Sequence, residues 1–172
     1  GTDTYSAIAA AVGSLKGPKH GGANRQVLAQ FSLIKQTVRD WKDDDAVAGC
    51  VRRILRRELG DGSGLIYGMG HAVYTLSDPR TVILRQSART LAAQRGMLDE
   101  LELMEAVERV TPRVFAEITG HEKVMCANVD MYSGLIYQML DIPPDLFTPL
   151  FAVARITGWC AHRMEEVLTG GR

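Results

Sequence analysis

Apolar residues recur every three to four positions along most of the chain, which is the spacing of one helix face. Glycines and prolines stand between these segments, where helices stop or start. No useful stretch alternates apolar and polar residues as a half-buried strand does. The pattern therefore predicts an all-α, multihelical array, with helices over 4–15, from 20–24 to 38, from 43–45 to 59, and over 81–94, 98–119, 124–140 and 146–168.

The first of these helices is unusually rich in small apolar residues. Alanine occupies positions 7, 9, 10 and 11. Small side chains let neighbouring backbones approach closely, so this composition predicts a buried, closely packed helix.

Composition and charge restrict the function more than they define it. Lys and Arg together number 20, as do Asp and Glu, so the net charge gives no indication of a broad nucleic-acid or acidic-membrane surface. No apolar run is long enough to span a bilayer, and we expect no signal peptide. Cys50, Cys126 and Cys160 are an odd number in apolar helical segments, as expected of buried thiols in a reducing compartment. We expect a cytoplasmic protein without membrane or nucleic-acid partners.

The stretch 64–80 combines glycines with a histidine and the start of a helix. Glycines let the backbone approach a ligand closely and adopt dihedrals that other residues avoid. A capping aspartate before a proline sets the next helix firmly, so a histidine and an arginine are held on either side of a rigid turn. This arrangement predicts a functional site, although a loop crossing the surface could contain the same residues. The residues are Gly64, Gly68, Gly70, His71, Asp78, Pro79 and Arg80.

Three further polar residues occur where helices begin or in apolar runs. His20 precedes a helix N-terminus, where the local positive potential disfavours an imidazolium, so a neutral ring could donate to a developing oxyanion. Asp130 lies in an apolar segment, and a poorly solvated carboxylate has the raised proton affinity that a general base requires. Arg155 lies in another apolar run and suits bidentate binding of a carboxylate.

Each of these residues also has a structural interpretation. His20 and His71 could be satisfied structural histidines, and Asp130 could cap a helix start. Arg155 could pair with Asp130 or Glu165. A metal triad of His20, His71 and Asp130 is disfavoured because none of the three has the close spacing of a typical ligand pair. We predict no metal site.

Three blocks occur in order along the chain: KGPKHGGAN at 16–24, GMGHAVY at 68–74 with DPR at 78–80, and ANVDMYSG at 127–134. In this order and at these separations they resemble the signature blocks of the citrate synthase family. The segments FAVAR at 151–155 and WCAHRME at 159–165 resemble the family's closing helix. The resemblance therefore covers essentially the whole chain.

The resemblance implies a tricarboxylic acid cycle enzyme that condenses acetyl-CoA with oxaloacetate to citrate and CoA, with no tightly bound cofactor. Asp130 then matches the base that removes a proton from the thioester methyl group. His20 matches the neutral histidine that stabilises the enolate oxygen, and His71 the histidine that hydrogen-bonds the oxaloacetate carbonyl.

The remaining implied contacts are with the substrate carboxylates and with CoA. Arg80 and Arg155 match arginines that hold the oxaloacetate and citrate carboxylates. Gly68, Met69, Gly70 and Asn128 match residues of the family's acetyl-CoA site.

The resemblance also implies a two-domain homodimer whose chain is more than twice as long as this one. We expect 1–20 to be a large-domain helix and link, 21–138 the small domain with the catalytic loop, and 139–172 a large-domain C-terminal helix. We also expect the chain to be inactive alone, because the family's N-terminal part supplies another histidine that contacts oxaloacetate.

Three other functions are compatible with parts of the pattern. A 2-methylcitrate synthase would use the same machinery with propionyl-CoA as donor. A non-enzymatic helical assembly or regulatory module could keep the same domain, although intact His20, His71 and Asp130 argue against it. A metal-dependent hydrolase using those three residues is the weakest alternative.

Overall fold

The computed structural model describes residues 1–16, 21–121 and 125–170. Over these ranges the chain forms seven α-helices and no strand, which confirms the predicted all-α class. A short 3-10 turn, Pro144–Leu146, precedes the last helix. The helices are α1 (Thr4–Ser14), α2 (Ala23–Thr37), α3 (Asp44–Leu55), α4 (Pro79–Arg95), α5 (Leu98–Thr119), α6 (Asp130–Met139) and α7 (Phe147–Leu168).

Helices α2 to α6 enclose one hydrophobic core. Helix α5 packs against α3 and α4, and α6 packs against α2 and α4. Burying one such aliphatic side chain contributes about 1.5–3 kcal/mol, so this core fixes the helices that carry the polar residues described below. Its largest buried side chains include Ile34, Ile54, Leu101, Leu103, Met131, Tyr132, Leu135 and Met139.

Local signals set the starts and ends of these helices. The carboxylate of Asp43 accepts from the Asp45 amide and caps α3. Asp78 caps α4 in the same way, with proline at the first helical position. Gly96 and Gly120 adopt left-handed conformations that end α4 and α5. The predicted stops at these two glycines are confirmed.

The predicted start of α6 is wrong. The helix begins at Asp130 rather than 124, because the preceding segment pairs with the glycine-rich loop instead. The amide of Gly70 donates to the carbonyl of Cys126, and the amide of Asn128 donates to the carbonyl of Gly68, each over 2.8 Å. These bonds hold 126–128 extended and place Asp130 at a helix N-terminus.

The prediction of a buried first helix is also wrong. Helix α1 has no buried residue and packs against α7. Packing on α7 leaves apolar side chains of α1 uncovered, so Tyr5 is 89% exposed and Val12 is 46% exposed. Helix α7 buries only Phe147.

The three cysteines are free thiols. Cys50 and Cys126 are buried, as predicted, whereas Cys160 is half-buried on α7. Burial raises the pKa of the Cys50 thiol, so it stays protonated and behaves as a small apolar side chain.

Across 1–16, 21–121 and 125–170, none of the helices has both the length and the apolar character needed to cross a membrane.

Candidate functional site

A long loop, 56–78, connects α3 to α4 and contains the predicted histidine. Long loops inside a compact array are typical of functional segments. This loop is held from two sides, and both anchors are amide side chains that bond to its backbone.

The first anchor is Gln30, a buried residue of α2. Its Nε2 donates to the carbonyl of Leu65 over 2.9 Å, and its Oε1 accepts from the amide of Tyr67 over 3.0 Å. The hydroxyl of Tyr67 in turn donates to Asp61 over 2.5 Å. The start of the loop is thereby fixed to α2.

The second anchor is Asn128, immediately before α6. Its Nδ2 donates to the carbonyl of Gly70 over 2.9 Å, and its Oδ1 accepts from the amide of Asp130 over 3.0 Å. The Asn128 amide therefore joins the loop that ends in His71 to the first residue of α6. Its predicted CoA contact stays a prediction, and these two bonds restrict the direction in which the side chain can face a ligand.

Gly68 lies between these anchors and has no room for a side chain. Its φ is +86°, and a Cβ there would lie 2.9 Å from the Cα of Met131. Both features require glycine. The backbone at Met69 forms an antiparallel bridge with Ala127, so the loop lies flat against the approach to α6.

His71 is oriented by its own following turn. Its Nδ1 accepts from the amides of Val73 and Tyr74, each over 3.0 Å. Because Nδ1 is the acceptor, the neutral ring carries its proton on Nε2. The Nε2 atom lies 3.2 Å from Nη2 of Arg80. Because Nη2 of Arg80 can only donate, an Nε2–H proton of His71 faces a second donor there, and a ligand oxygen placed beside both groups could accept from each. The His71 side chain is 20% exposed.

Asp78 and Arg80 form an ion pair in which the carboxylate is buried and the guanidinium is partly exposed. The Asp78 side chain is fully buried, and the Arg80 side chain is 51% exposed. Arg80 donates from Nε over 3.0 Å and from Nη2 over 2.8 Å. Asp78 thus occupies the Nε–Nη2 edge of the guanidinium, so a carboxylate ligand would bind the edge that includes Nη1.

The charges of this pair stabilise each other. The hydrogen bonds from Arg80 hold the pKa of Asp78 below its ordinary value, against the effect of burial. The hydrogen bonds to Asp78 raise the pKa of Arg80 further, and the Asp130 carboxylate adds a smaller contribution in the same direction. Asp130 is therefore close enough for its charge to act on the Arg80 guanidinium.

Asp130 is half-buried at the first position of α6. The amides at a helix N-terminus favour a carboxylate in its charged form. The sequence predicted a raised proton affinity for Asp130 from its apolar neighbours. The helix N-terminus acts in the opposite direction, and the sequence pattern did not indicate it. The role of Asp130 as a general base stays a prediction.

Among the described residues, one predicted site residue, Arg155, is not brought into this cluster. His20 lies outside the described residues. Arg155 is exposed on α7, with its guanidinium carbon 5.3 Å from the ring centroid of Phe151. In the described structure no ion pair joins Arg155 to Asp130 or Glu165, and Glu165 instead lies 3.8 Å from His162. A carboxylate-binding role for Arg155 stays a prediction.

Two buried polar atoms, one in a predicted block and one next to a block, lack hydrogen-bond partners in the described parts of the chain. They are Oδ1 of Asn24, in the first turn of α2, and Oγ1 of Thr81, directly after Arg80. An unpaired buried acceptor or hydroxyl costs about 1–3 kcal/mol unless water or a ligand bonds to it. These atoms are available to a ligand or an ordered water.

Sequence reasoning missed one residue of the site, Gln30, and the burial of another, Asp78. Gln30 was hidden because it lies beside the apolar stripe of Val27, Phe31 and Ile34, where a glutamine is usually read as a surface residue. Its position on that stripe was the available signal. Asp78 was predicted as a helix cap, but its full burial and its pairing with Arg80 were not predicted.

Among the described residues, no group of three or more His, Cys, Asp or Glu side chains is placed to hold a metal ion.

Comparisons with known proteins agree with the order of the blocks. A family model described as "Citrate synthase, C-terminal domain" matches residues 1–172. The chain is 42% identical to a citrate synthase of Synechocystis sp., over 96% of this chain and 38% of that protein. It is 35% identical to a 2-methylcitrate synthase of Shewanella oneidensis, over 96% of this chain and 39% of that protein.

Solved structures give the same result. One is the ternary complex of citrate synthase from Thermoplasma acidophilum with carboxymethyl coenzyme A and oxaloacetate, at a TM-score of 0.72 and 30% identity over 96% of this chain and 40% of that chain. Another is citrate synthase from Pyrobaculum aerophilum, at a TM-score of 0.73 and 30% identity over 96% and 37% of the two chains.

The chain thus spans about two fifths of the length of the relatives it matches. The match extends over all of its own residues, and the structure joins the second and third of the blocks that carry the resemblance through Asn128. On these grounds the chain belongs to the citrate synthase family.

Proposed function

We propose that this chain forms part of an enzyme that condenses acetyl-CoA with oxaloacetate to citrate and CoA. The observation that carries the proposal is the connection through Asn128, which ties the loop ending in His71 to the amide of Asp130. A condensation needs a base at one reactant and a donor at the other, held at a fixed separation.

Each proposed step uses a residue that the family resemblance matches to it. The Asp130 carboxylate takes a proton from the thioester methyl group, and His20 donates to the resulting enolate oxygen. The enolate carbon then attacks the oxaloacetate ketone, forming the new carbon–carbon bond. The His71 Nε2–H hydrogen-bonds the ketone oxygen as it becomes an alkoxide. Water finally cleaves the thioester and releases CoA.

Two arginines would hold the substrate carboxylates. Arg80 already has one edge of its guanidinium fixed by Asp78, which keeps the other edge pointed outward without further loss of side-chain freedom. Arg155 would supply a second cation from α7. The backbone at Gly68 packs closely on α6, which fixes the loop that would receive the acyl-CoA.

Propionyl-CoA is the second candidate donor, and the reaction would then yield 2-methylcitrate. The 35% identity to a 2-methylcitrate synthase over nearly the whole chain favours keeping this candidate. The same base and donors serve both reactions, so the pocket around the extra methyl group would decide between them.

We further propose that the chain contributes to two domains of a cytoplasmic homodimer. The pairing of α1 with α7 supports a grouping of 1–20 with 139–172, separate from the core of 21–138. The exposed apolar side chains of both helices are consistent with partners that they would meet in a longer polypeptide or in a dimer.

The test is release of CoA thiol from acetyl-CoA or propionyl-CoA in the presence of oxaloacetate. It should be run on this chain and on any longer polypeptide that contains it. Asp130→Asn should abolish turnover, and Asp45→Asn, which changes an exposed carboxylate on α3, should leave it unchanged. Absence of thiol release from the longer polypeptide with either donor would refute the enzyme proposal and favour the assembly module.

A further inference from the structure

The side chain of Gln30 is the observation from which a new inference follows. Gln30 is 7% exposed at the middle of α2, and both ends of its amide bond to the backbone of one loop. A buried glutamine that is fully hydrogen-bonded is a specific arrangement, because leaving either atom unpaired would be costly.

The two bonds define the shape of the loop at that point. The two bonds reach the carbonyl of Leu65 and the amide of Tyr67, which are two residues apart. The glutamine amide thus pairs with the loop backbone as the backbone of a neighbouring β-strand would. The residue between them, Ile66, is thereby turned into the core, where it is 6% exposed. A slip of one residue would expose Ile66 and bury Tyr67.

The loop continues from this point directly into the site. The carbonyl of Ile66 accepts from the amide of Met69 over 3.1 Å, and the next bonds are those of Gly68 and Gly70 with 126–128. Gln30 therefore fixes the N-terminal end of the segment 65–70, and Asn128 fixes its C-terminal end. Because each anchor belongs to a different helix region, the register of the segment depends on both.

We propose that Gln30 is a positioning residue for this site. It acts through the backbone of 65–70 to place Gly68 to Gly70 and His71 relative to Asp130, and it connects α2, which follows the block containing His20, to the other two blocks. Gln30 contacts no reacting atom in this role. The proposal rests on the proposed function only for its kinetic consequence, since the structural consequence can be measured in the chain itself.

The first experiment is amide hydrogen exchange on this chain. Gln30→Leu removes both bonds at similar volume, and Gln30→Glu keeps the acceptor for the Tyr67 amide but removes the donor to Leu65. Gln36→Leu makes the same change at an exposed position of α2 and is the control. We expect exchange at Tyr67, Met69 and Gly70 to rise about tenfold in Gln30→Leu, at least as much in Gln30→Glu because a buried carboxylate would face the Leu65 carbonyl, and not in the control.

The second experiment is a kinetic comparison in the longest active polypeptide. Both Gln30 variants should raise the KM for acetyl-CoA about fivefold, the size expected for a displaced hydrogen-bonding segment, with kcat changed less. The control should leave both constants unchanged. If Gln30→Leu does not fold, as judged by circular dichroism, Gln30→Glu decides both experiments.

Two results would overturn the proposal. One is unchanged exchange at Met69 and Gly70 in a folded Gln30 variant. The other is faster exchange at Tyr67 with unaltered kinetics, which would make Gln30 a purely structural contact. If the unsubstituted polypeptide shows no turnover, the proposed function fails, and the exchange at Met69 and Gly70 still decides whether Gln30 sets the loop.

Discussion

Replacing Asp78 by asparagine tests the most buried charge of the site. Asparagine and aspartate cap helices about equally well, so Asp78→Asn should leave the cap of α4 in place. It removes the negative charge that accepts from Nε and Nη2 of Arg80. The asparagine NH2 group would also face an arginine donor. The substitution therefore isolates the ion pair from the cap.

The expected magnitude follows from the burial of the two partners. A hydrogen bond to a charged group contributes about 1.5–3 kcal/mol. The Asp78 side chain is fully buried, but Arg80 is 51% exposed, so water can replace part of what the guanidinium loses. We expect a loss near the lower limit, about 1.5 kcal/mol, which lowers the Tm of a chain of this size by about 3–6 °C.

The pH dependence gives a second and independent check. The pKa of Asp78 is lowered in the folded state by Arg80, so its contribution to stability is present above the unfolded pKa near 3.8 and is lost as pH falls through the folded pKa. The stability difference between the unsubstituted chain and Asp78→Asn should therefore be constant near pH 7 and should shrink below pH 4.

The assay is urea unfolding followed by far-UV circular dichroism at several pH values. Asp43→Asn is the control, because Asp43 caps α3 and no arginine is paired with it among the described residues. The control should change the free energy of unfolding by less than about 0.5 kcal/mol. Equal losses in both variants, or a loss from Asp78→Asn that persists at low pH, would refute the reasoning.

Three further substitutions have definite expected outcomes. Gly68→Ala should destabilise the chain by about 1–3 kcal/mol more than Gly70→Ala in urea unfolding, because both have positive φ but only the first Cβ would strike α6. Tyr132→Phe removes the donor to Glu108 and should cost about 1–3 kcal/mol. Burial raises the pKa of Tyr132, so this difference should shrink as pH rises above the unfolded value of 10.0. Asn128→Ala should speed exchange of the Gly70 amide about tenfold, since the Asn128 side chain donates to the Gly70 carbonyl and holds this part of the loop.

The elements that sequence predicted well are those set by local signals. Helix α5 occupies the predicted bounds because apolar periodicity runs without interruption to the left-handed Gly120. Helix α4 starts at Pro79, slightly before the start at 81 that periodicity predicted, as the capping aspartate indicated. These features depend on residues within a few positions of each other, and the sequence alone contains that information.

The errors occur where distant parts of the chain interact. Residues 125–129 have helical periodicity, but the loop residues Gly68 and Gly70, far away in sequence, draw them into an extended pairing. The apolar composition of helix α1 predicts a core helix, yet α1 packs against α7 and has no buried residue. Gln30 bonds to residues 35 and 37 positions away, and periodicity contains no signal for such a bond.

The charge of the assembled site limits what it can bind. The two anchors, Gln30 and Asn128, are neutral amides, so they fix the loop without adding charge. Among the residues that the structure describes, the rest of the cluster has one cation, Arg80, and two carboxylates, Asp78 and Asp130, whose charges act on it. A neutral His71 can donate to a carbonyl, and the outer edge of Arg80 can bind one carboxylate. A substrate with two carboxylates needs another cation to overcome the negative excess, and this is the role that the resemblance implies for Arg155.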